Sequence, residues 1–180
     1  MKAKLIPIVG FLIISASPLA AQQRFFFFEQ RNPFKHPARI PRAVLDVMRY
    51  EIQNRRGCNV NKSINLSGWF FGSRINLAPT RRAYILRSHQ DCLNGADNDW
   101  VWVVLKTSRG YRMVFFDGTI SVYVRSSRSH GLRDLETTAA TAAIAFRNVF
   151  KFDGNVYKRT QCFEAMPVEA KLKPVPCDNR

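Results

Sequence analysis

Apolar positions change their spacing along this chain. From Pro41 to Gly57, in "PRAVLDVMRYEIQNRRG", Val44, Val47, Met48 and Ile52 recur at steps of three and four, with Arg42, Arg49 and Arg55 largely on the other side. That period belongs to an amphipathic helix. Proline suits its first position, where no backbone donor is needed, and Gly57 suits its exit. The spacing predicts a helix that lays one face on a sheet and turns a basic face outward.

From about residue 62 the period becomes two. Ile64, Leu66 and the Trp69-Phe70 pair suggest one strand, and Ala83–Leu86 a second after a turn at Ala78-Pro79-Thr80. The stretch "WVWVVLK", Trp100–Lys106, is rich in the β-branched and aromatic residues that fit a pleated surface. In "GYRMVFFDGTISVYV", Asp117-Gly118 reads as a two-residue turn that pairs Phe115 with Ile120, Met113 with Val122 and Tyr111 with Val124. A second Phe-Asp-Gly, Phe152–Gly154, reads the same way, with Phe152 opposite Asn155 and Phe150 opposite Tyr157, fed by a strand from about Ala142. Residues 134–140 give no preference, because their alanines favour helix and their threonines strand. Beyond Cys162, "FEAMPVEAKLKPVPCDNR" is punctuated by proline and predicts irregular chain.

Ahead of these elements, Lys2 and Lys4 precede an apolar run, Leu5–Ile14, and small residues up to Ala21. That order predicts a signal peptide over residues 1–21. The run is shorter than the ~20 residues that span a bilayer, and no later stretch is long and apolar enough, so a soluble mature chain without a transmembrane segment is expected. Residues 22–40 mix Phe25–Phe28 with Arg24, Arg31 and Lys35. They read as a leading strand packed on the domain or as a segment seated at a membrane surface. A single domain over 41–162 and a proline-rich tail over 163–180, tied by Cys177, complete the expected organisation.

Lysine and arginine number 28 against 13 acidic residues, a formal charge of +15. Losing Lys2 and Lys4 with the leader leaves +13 (15 − 2), so the excess belongs to the mature protein. It favours anionic partners by long-range attraction. The four cysteines, Cys58, Cys92, Cys162 and Cys177, form an even set that predicts two disulfides in an exported chain. Three pairings are open. Cys58–Cys92 with Cys162–Cys177 is the expected one, since each closes a moderate loop and the second fastens the tail. There is no CxxC and no histidine at ligand spacing, so no metal site and no cofactor is expected.

Candidate chemistry is sparse. His89 and His130 are the plausible acid–base residues for cleaving a phosphodiester, although nothing in their local spacing supports it. Asp91, Asp97 and Asp99 could gather a cation, but such residues more often make turns. Asp153 stands alone and lacks the alternating oxygen donors of a calcium loop. Arg125, Arg128 and Arg133, in "RSSRSHGLRD", are the candidate binding residues, because guanidinium groups hold anions through paired charge-assisted hydrogen bonds.

Three short motifs are shared with other proteins. Cys92 followed by Asn94-Gly95-Ala96 and a tryptophan-led strand, Gly131-Leu-Arg-Asp134-Leu135, and Phe152-Asp-Gly-x-x-Tyr157 resemble those of a loose group of small exported bacterial proteins of unassigned function. The resemblance covers roughly residues 41–162. It implies an envelope protein built on a sheet and carries over no catalytic residue. The combined expectation is an α+β fold, an N-terminal helix packed on a mainly antiparallel hairpin-built sheet with two disulfides. Its expected role is that of a periplasmic or secreted, non-enzymatic protein that binds an anionic polymer, an anionic lipid surface or an acidic protein. Nucleic acid is possible as a partner but not favoured. The alternatives are a small secreted hydrolase acting on nucleic acid and a periplasmic enzyme inhibitor.

Overall fold

The computed structural model of the protein describes residues 23–26, 34–55, 58, 60, 63–94, 98–166 and 171–177. The expected leader, residues 1–21, lies outside them. The elements in chain order are β1 (Gln23–Phe26), α1 (Arg42–Arg55), β2 (Phe70–Ala78), β3 (Arg81–Ser88), β4 (Asp99–Thr107) and β5 (Gly110–Thr119). There follow β6 (Ser121–Ser129), β7 (Leu132–Ala140), β8 (Ala145–Phe152), β9 (Tyr157–Ala165) and β10 (Lys173–Val175). They form two antiparallel sheets, one of four strands in the order β2-β3-β4-β5 and one of six in the order β1-β6-β7-β8-β9-β10.

The α+β expectation is therefore overturned. The fold is mostly β, and its main core lies between two sheets instead of under a helix. Ile75, Ile85, Val103 and Val114 of the smaller sheet pack with Val122, Leu135, Phe150 and Phe152 of the larger. Phe115 meets Phe150 edge-on at 5.0 Å across that interface. The helix is real, with Val44, Met48 and Ile52 buried, but it covers the outer face of the small sheet against Tyr84, Leu86, Trp102 and Val104. That arrangement buries both faces of β3 and β4. It accounts for the unbroken apolar run Val101–Leu105, which a sheet with one wet face would not need.

The largest error of register lies at Asp117-Gly118. These residues make no turn; they continue β5, with Asp117 opposite Val101 and Gly118 opposite Trp100. The chain passes from one sheet to the other at Ile120, so β5 and β6 do not pair. Glycine at 118 leaves room for the Trp100 ring, since a Cβ there would sit 3.3 Å from it, a tight contact. The crossing is held by buried polar groups. Thr119 Oγ1 donates to Thr138 O at 2.6 Å, Ile120 N–H donates to the same carbonyl at 2.7 Å, and the Ser121 and Thr138 hydroxyls bond each other.

The second Phe-Asp-Gly is a turn, but a longer one than expected. Phe152 pairs with Tyr157, not Asn155, and four residues span the reversal. Asp153 Oδ1 accepts from the N–H groups of Asn155 and Val156, both at 2.8 Å, while Gly154 takes φ 99°. Those two N–H bonds and Lys158 hold the Asp153 carboxyl far below its ordinary range. Residues 134–140, which carried no preference, lie in β7. The tail expected to be irregular contributes β10, paired to β9. Of the phenylalanine run, Phe25 and Phe26 lie in β1, opposite Val122 and Ser121; Phe27 and Phe28 fall outside the described residues.

Both disulfides have the expected pairing, Cys58–Cys92 and Cys162–Cys177. Bridges of this kind suit a compartment outside the reducing cytoplasm. Among the described residues no helix is long and apolar enough to cross a membrane, which says nothing of strands.

Candidate anion-binding site

Strand direction alternates through both meanders, and this decides where the turns go. The turns β2–β3, β4–β5, β6–β7 and β8–β9 all fall at one end of the sandwich, and two contacts tie the sheets together there. Arg128 Nη1 donates to Leu77 O at 3.3 Å, and Arg112 donates to Asn155 Oδ1 and, at 3.5 Å, to Gly154 O. The β6–β7 reversal places His130 at φ 47° and Gly131 at φ 81°, the left-handed pair of a tight hairpin turn. His130 Nδ1 lies 2.8 Å from Phe152 O, joining this turn to the next.

The turn end is strongly basic. An open concavity of about 960 Å³ between the β2–β3 and β4–β5 turns is lined by Arg81, Arg82, Lys106, Arg109 and Arg112, with Thr80, Thr107, Ser108 and Tyr111. Among the described residues no carboxylate lines it. Arg128, Arg133, Lys151 and Lys158 follow on or beside the neighbouring turns, where Asp153 is matched by Lys158 at 3.0 Å and the buried Asp134 accepts from Ser127 at 2.7 Å. The acidic residues Asp91, Asp99 and Glu164 belong to the opposite end, and Asp99 there is held by Arg87 at 2.8 Å.

The three arginines expected to bind are divided by this geometry. Arg128 and Arg133 face each other across the β6–β7 ladder near the basic end. Arg125 is further along, in a bulge of β6, and pairs with Glu136, which Arg147 also approaches at 3.5 Å. Ser127 within that bulge donates to Asp134 Oδ2 at 2.7 Å. The five cations of the concavity were not expected as a group. Their signal was the placing of basic residues beside successive turns, at Arg81-Arg82 and Arg109, which topology then gathers.

The two histidines are not brought together. His89 lies tilted against Phe71, at 5.0 Å between ring centres, beside the start of β2. His130 belongs with Arg128, which reaches Leu77 near the other end of β2. Phe71 and Leu77 are six positions apart, about 20 Å at ~3.3 Å per residue. No shared proton-transfer site follows from that spacing. Asp97 lies outside the described residues, and among those residues no three His, Cys, Asp or Glu side chains converge as metal ligands.

One ion pair lies inside the sandwich. Asp117 accepts from Arg159 Nη2 at 3.1 Å and from Thr137 Oγ1 at 3.2 Å, linking β5 of one sheet to β9 and β7 of the other. Burial raises the Asp117 carboxyl above its ordinary value of 3.8, against the lowering effects of Arg159 and Thr137. Burial, and then the charge of Asp134, raise the Tyr157 hydroxyl, which donates to Arg133 O at 2.6 Å. These groups are structural, since each is spent on a partner in the fold.

The class defined here is a disulfide-bonded, two-sheet β-sandwich with one basic end. No protein-family model matches the sequence, and neither a curated protein nor a solved structure matches it significantly.

Proposed function

We propose that the protein is an exported, non-enzymatic binding protein of the bacterial envelope, periplasmic or secreted, that recognises an anionic partner with the basic end of its sandwich. The observation that carries this reading is the concavity lined by Arg81, Arg82, Lys106, Arg109 and Arg112 with no carboxylate among the described residues. Like charges ~8 Å apart in water repel by about 0.5 kcal/mol per pair. An anion seated among them replaces that repulsion with attraction, and the guanidinium groups offer paired donors to phosphate, sulfate or carboxylate oxygens. The leader-like N-terminus, the two bridges and the short-motif resemblance to small exported bacterial proteins support the location.

The test is retention of partners from envelope extract by the mature, oxidised protein at low and high salt, beside an Arg82→Glu/Arg109→Glu variant. A partner held at low salt, released at high salt and lost in the variant supports the reading. A partner that survives both high salt and the charge reversal refutes it.

A further inference from the structure

A second concavity, about 900 Å³, lies between α1 and the outer face of the small sheet, apart from the basic turns. Its chemistry is different. Ile40, Leu45, Leu66 and Phe70 supply an apolar wall, while Arg39, Arg42 and Arg74 stand at its exposed margin against one carboxylate among the described residues, Asp46. None of those three arginines has an ion-pair partner among the described residues. The 14-residue helix opens onto this space with its first turn and carries no acidic residue there, so its positive end is not neutralised from within.

Tyr84 adds a polar group to this space. The residue is only 3% exposed and lines the concavity, and its hydroxyl bonds to no described residue and stays open to solvent. Arg74 is its cross-strand partner in the β2–β3 ladder, which puts a hydroxyl donor and a cation side by side. A concave space of this size, apolar with a few convergent polar groups, is the usual form of a small-molecule site.

We infer that this concavity binds a single amphiphilic anion, a phosphate or carboxylate head on a short apolar body. The head meets Arg74, Arg42 and the Tyr84 hydroxyl, and the body lies on Leu45, Leu66 and Phe70. The site is independent of the partner proposed for the basic turns.

The experiment is calorimetric titration of the oxidised full chain with octyl phosphate below its micelle concentration, beside octyl glucoside and inorganic phosphate. One-to-one binding of octyl phosphate, at least tenfold tighter than either control, is expected. Arg74→Glu should weaken it at least tenfold and Tyr84→Phe severalfold, both with an unchanged melting temperature, while Arg109→Glu at the basic turns should leave it unaltered. Equal binding of octyl glucoside would reduce the site to an apolar surface, and equal binding of inorganic phosphate would reduce it to net charge; either overturns the inference. So would loss in Arg109→Glu matching that in Arg74→Glu. Competition by phosphatidylglycerol vesicles supports the site with a lipid as the source, and failure to compete supports it with a free organic anion.

Discussion

If the two sheets are packed face to face, Phe115 and Phe150 must be energetically coupled although 35 positions separate them in the chain. Phe115 is on the edge strand β5 of the small sheet, 3% exposed; Phe150 is on β8 of the large sheet, 5% exposed. Their rings meet edge to face, the geometry in which the positive ring edge points at the negative face. Such a pair contributes about 0.5–1.5 kcal/mol beyond the area it buries. Phe115→Leu and Phe150→Leu each keep an apolar side chain in the core, so both variants should fold. Phe115→Leu also loses contact with a further ring, since Phe115 lies 6.2 Å from Tyr157. Urea unfolding of the oxidised wild type, both single variants and the double variant closes the cycle. The double variant should be less destabilised than the sum of the singles by about 1 kcal/mol, the shared contact being lost only once. Additivity within about 0.3–0.5 kcal/mol would separate the rings and refute the stacked-sheet arrangement.

Three further outcomes follow from local features. Burial makes the folded protein bind a proton at Asp117 more readily than the unfolded chain does. Stability from this group is therefore lost as pH rises from 3.8 through the raised folded value; the stability of wild type minus that of Asp117→Asn should fall as pH rises through that range, and a rise would reverse the assignment. Gly131→Ala puts a Cβ at φ 81° with no neighbour to strike within 4 Å, so its cost is conformational, about 1–2 kcal/mol by denaturant titration, and a neutral change would contradict the left-handed turn. Replacing Cys162 and Cys177 together by serine opens a 15-residue separation and should lower unfolding stability by about 3 kcal/mol; an unchanged midpoint would mean that the bridge does not restrain the unfolded chain.

Local features of the fold were legible where a local period or a short loop decides them. The helix face Val44, Met48 and Ile52 is buried as its spacing requires, and both cysteine pairs close as loop length favours. The failures share a cause in long-range packing. Asp117-Gly118 and Asp153-Gly154 are the same dipeptide after phenylalanine, yet only the second turns. The first stays extended because Asp117 reaches Arg159 across the sandwich and Gly118 admits the Trp100 ring, contacts with residues the local sequence does not contain. With that hairpin misplaced, the strands merged into one sheet, and the helix took the place of the second layer.

The site was legible as chemistry but not as a place. Basic residues beside turns were visible in the sequence, including Arg81-Arg82 and Arg128. Their convergence depends on the alternation of strand direction and on the crossing at Ile120. Arg125 looked equivalent to Arg128, but the β6 bulge sets it against Glu136.

The most direct test of the proposed binding role compares two charge reversals of equal size. Arg82→Glu/Arg109→Glu alters the basic end, and Lys171→Glu/Lys173→Glu alters the start of β10 and the residue two before it, at the opposite end of β9. Affinity for a long-chain polyphosphate probe would be measured by fluorescence anisotropy across a salt series. The first variant should lose at least about tenfold in affinity and show a shallower salt dependence, and the second should stay near wild type. Equal losses in both variants would mean that net charge alone attracts the probe, and would contradict a site at the turns.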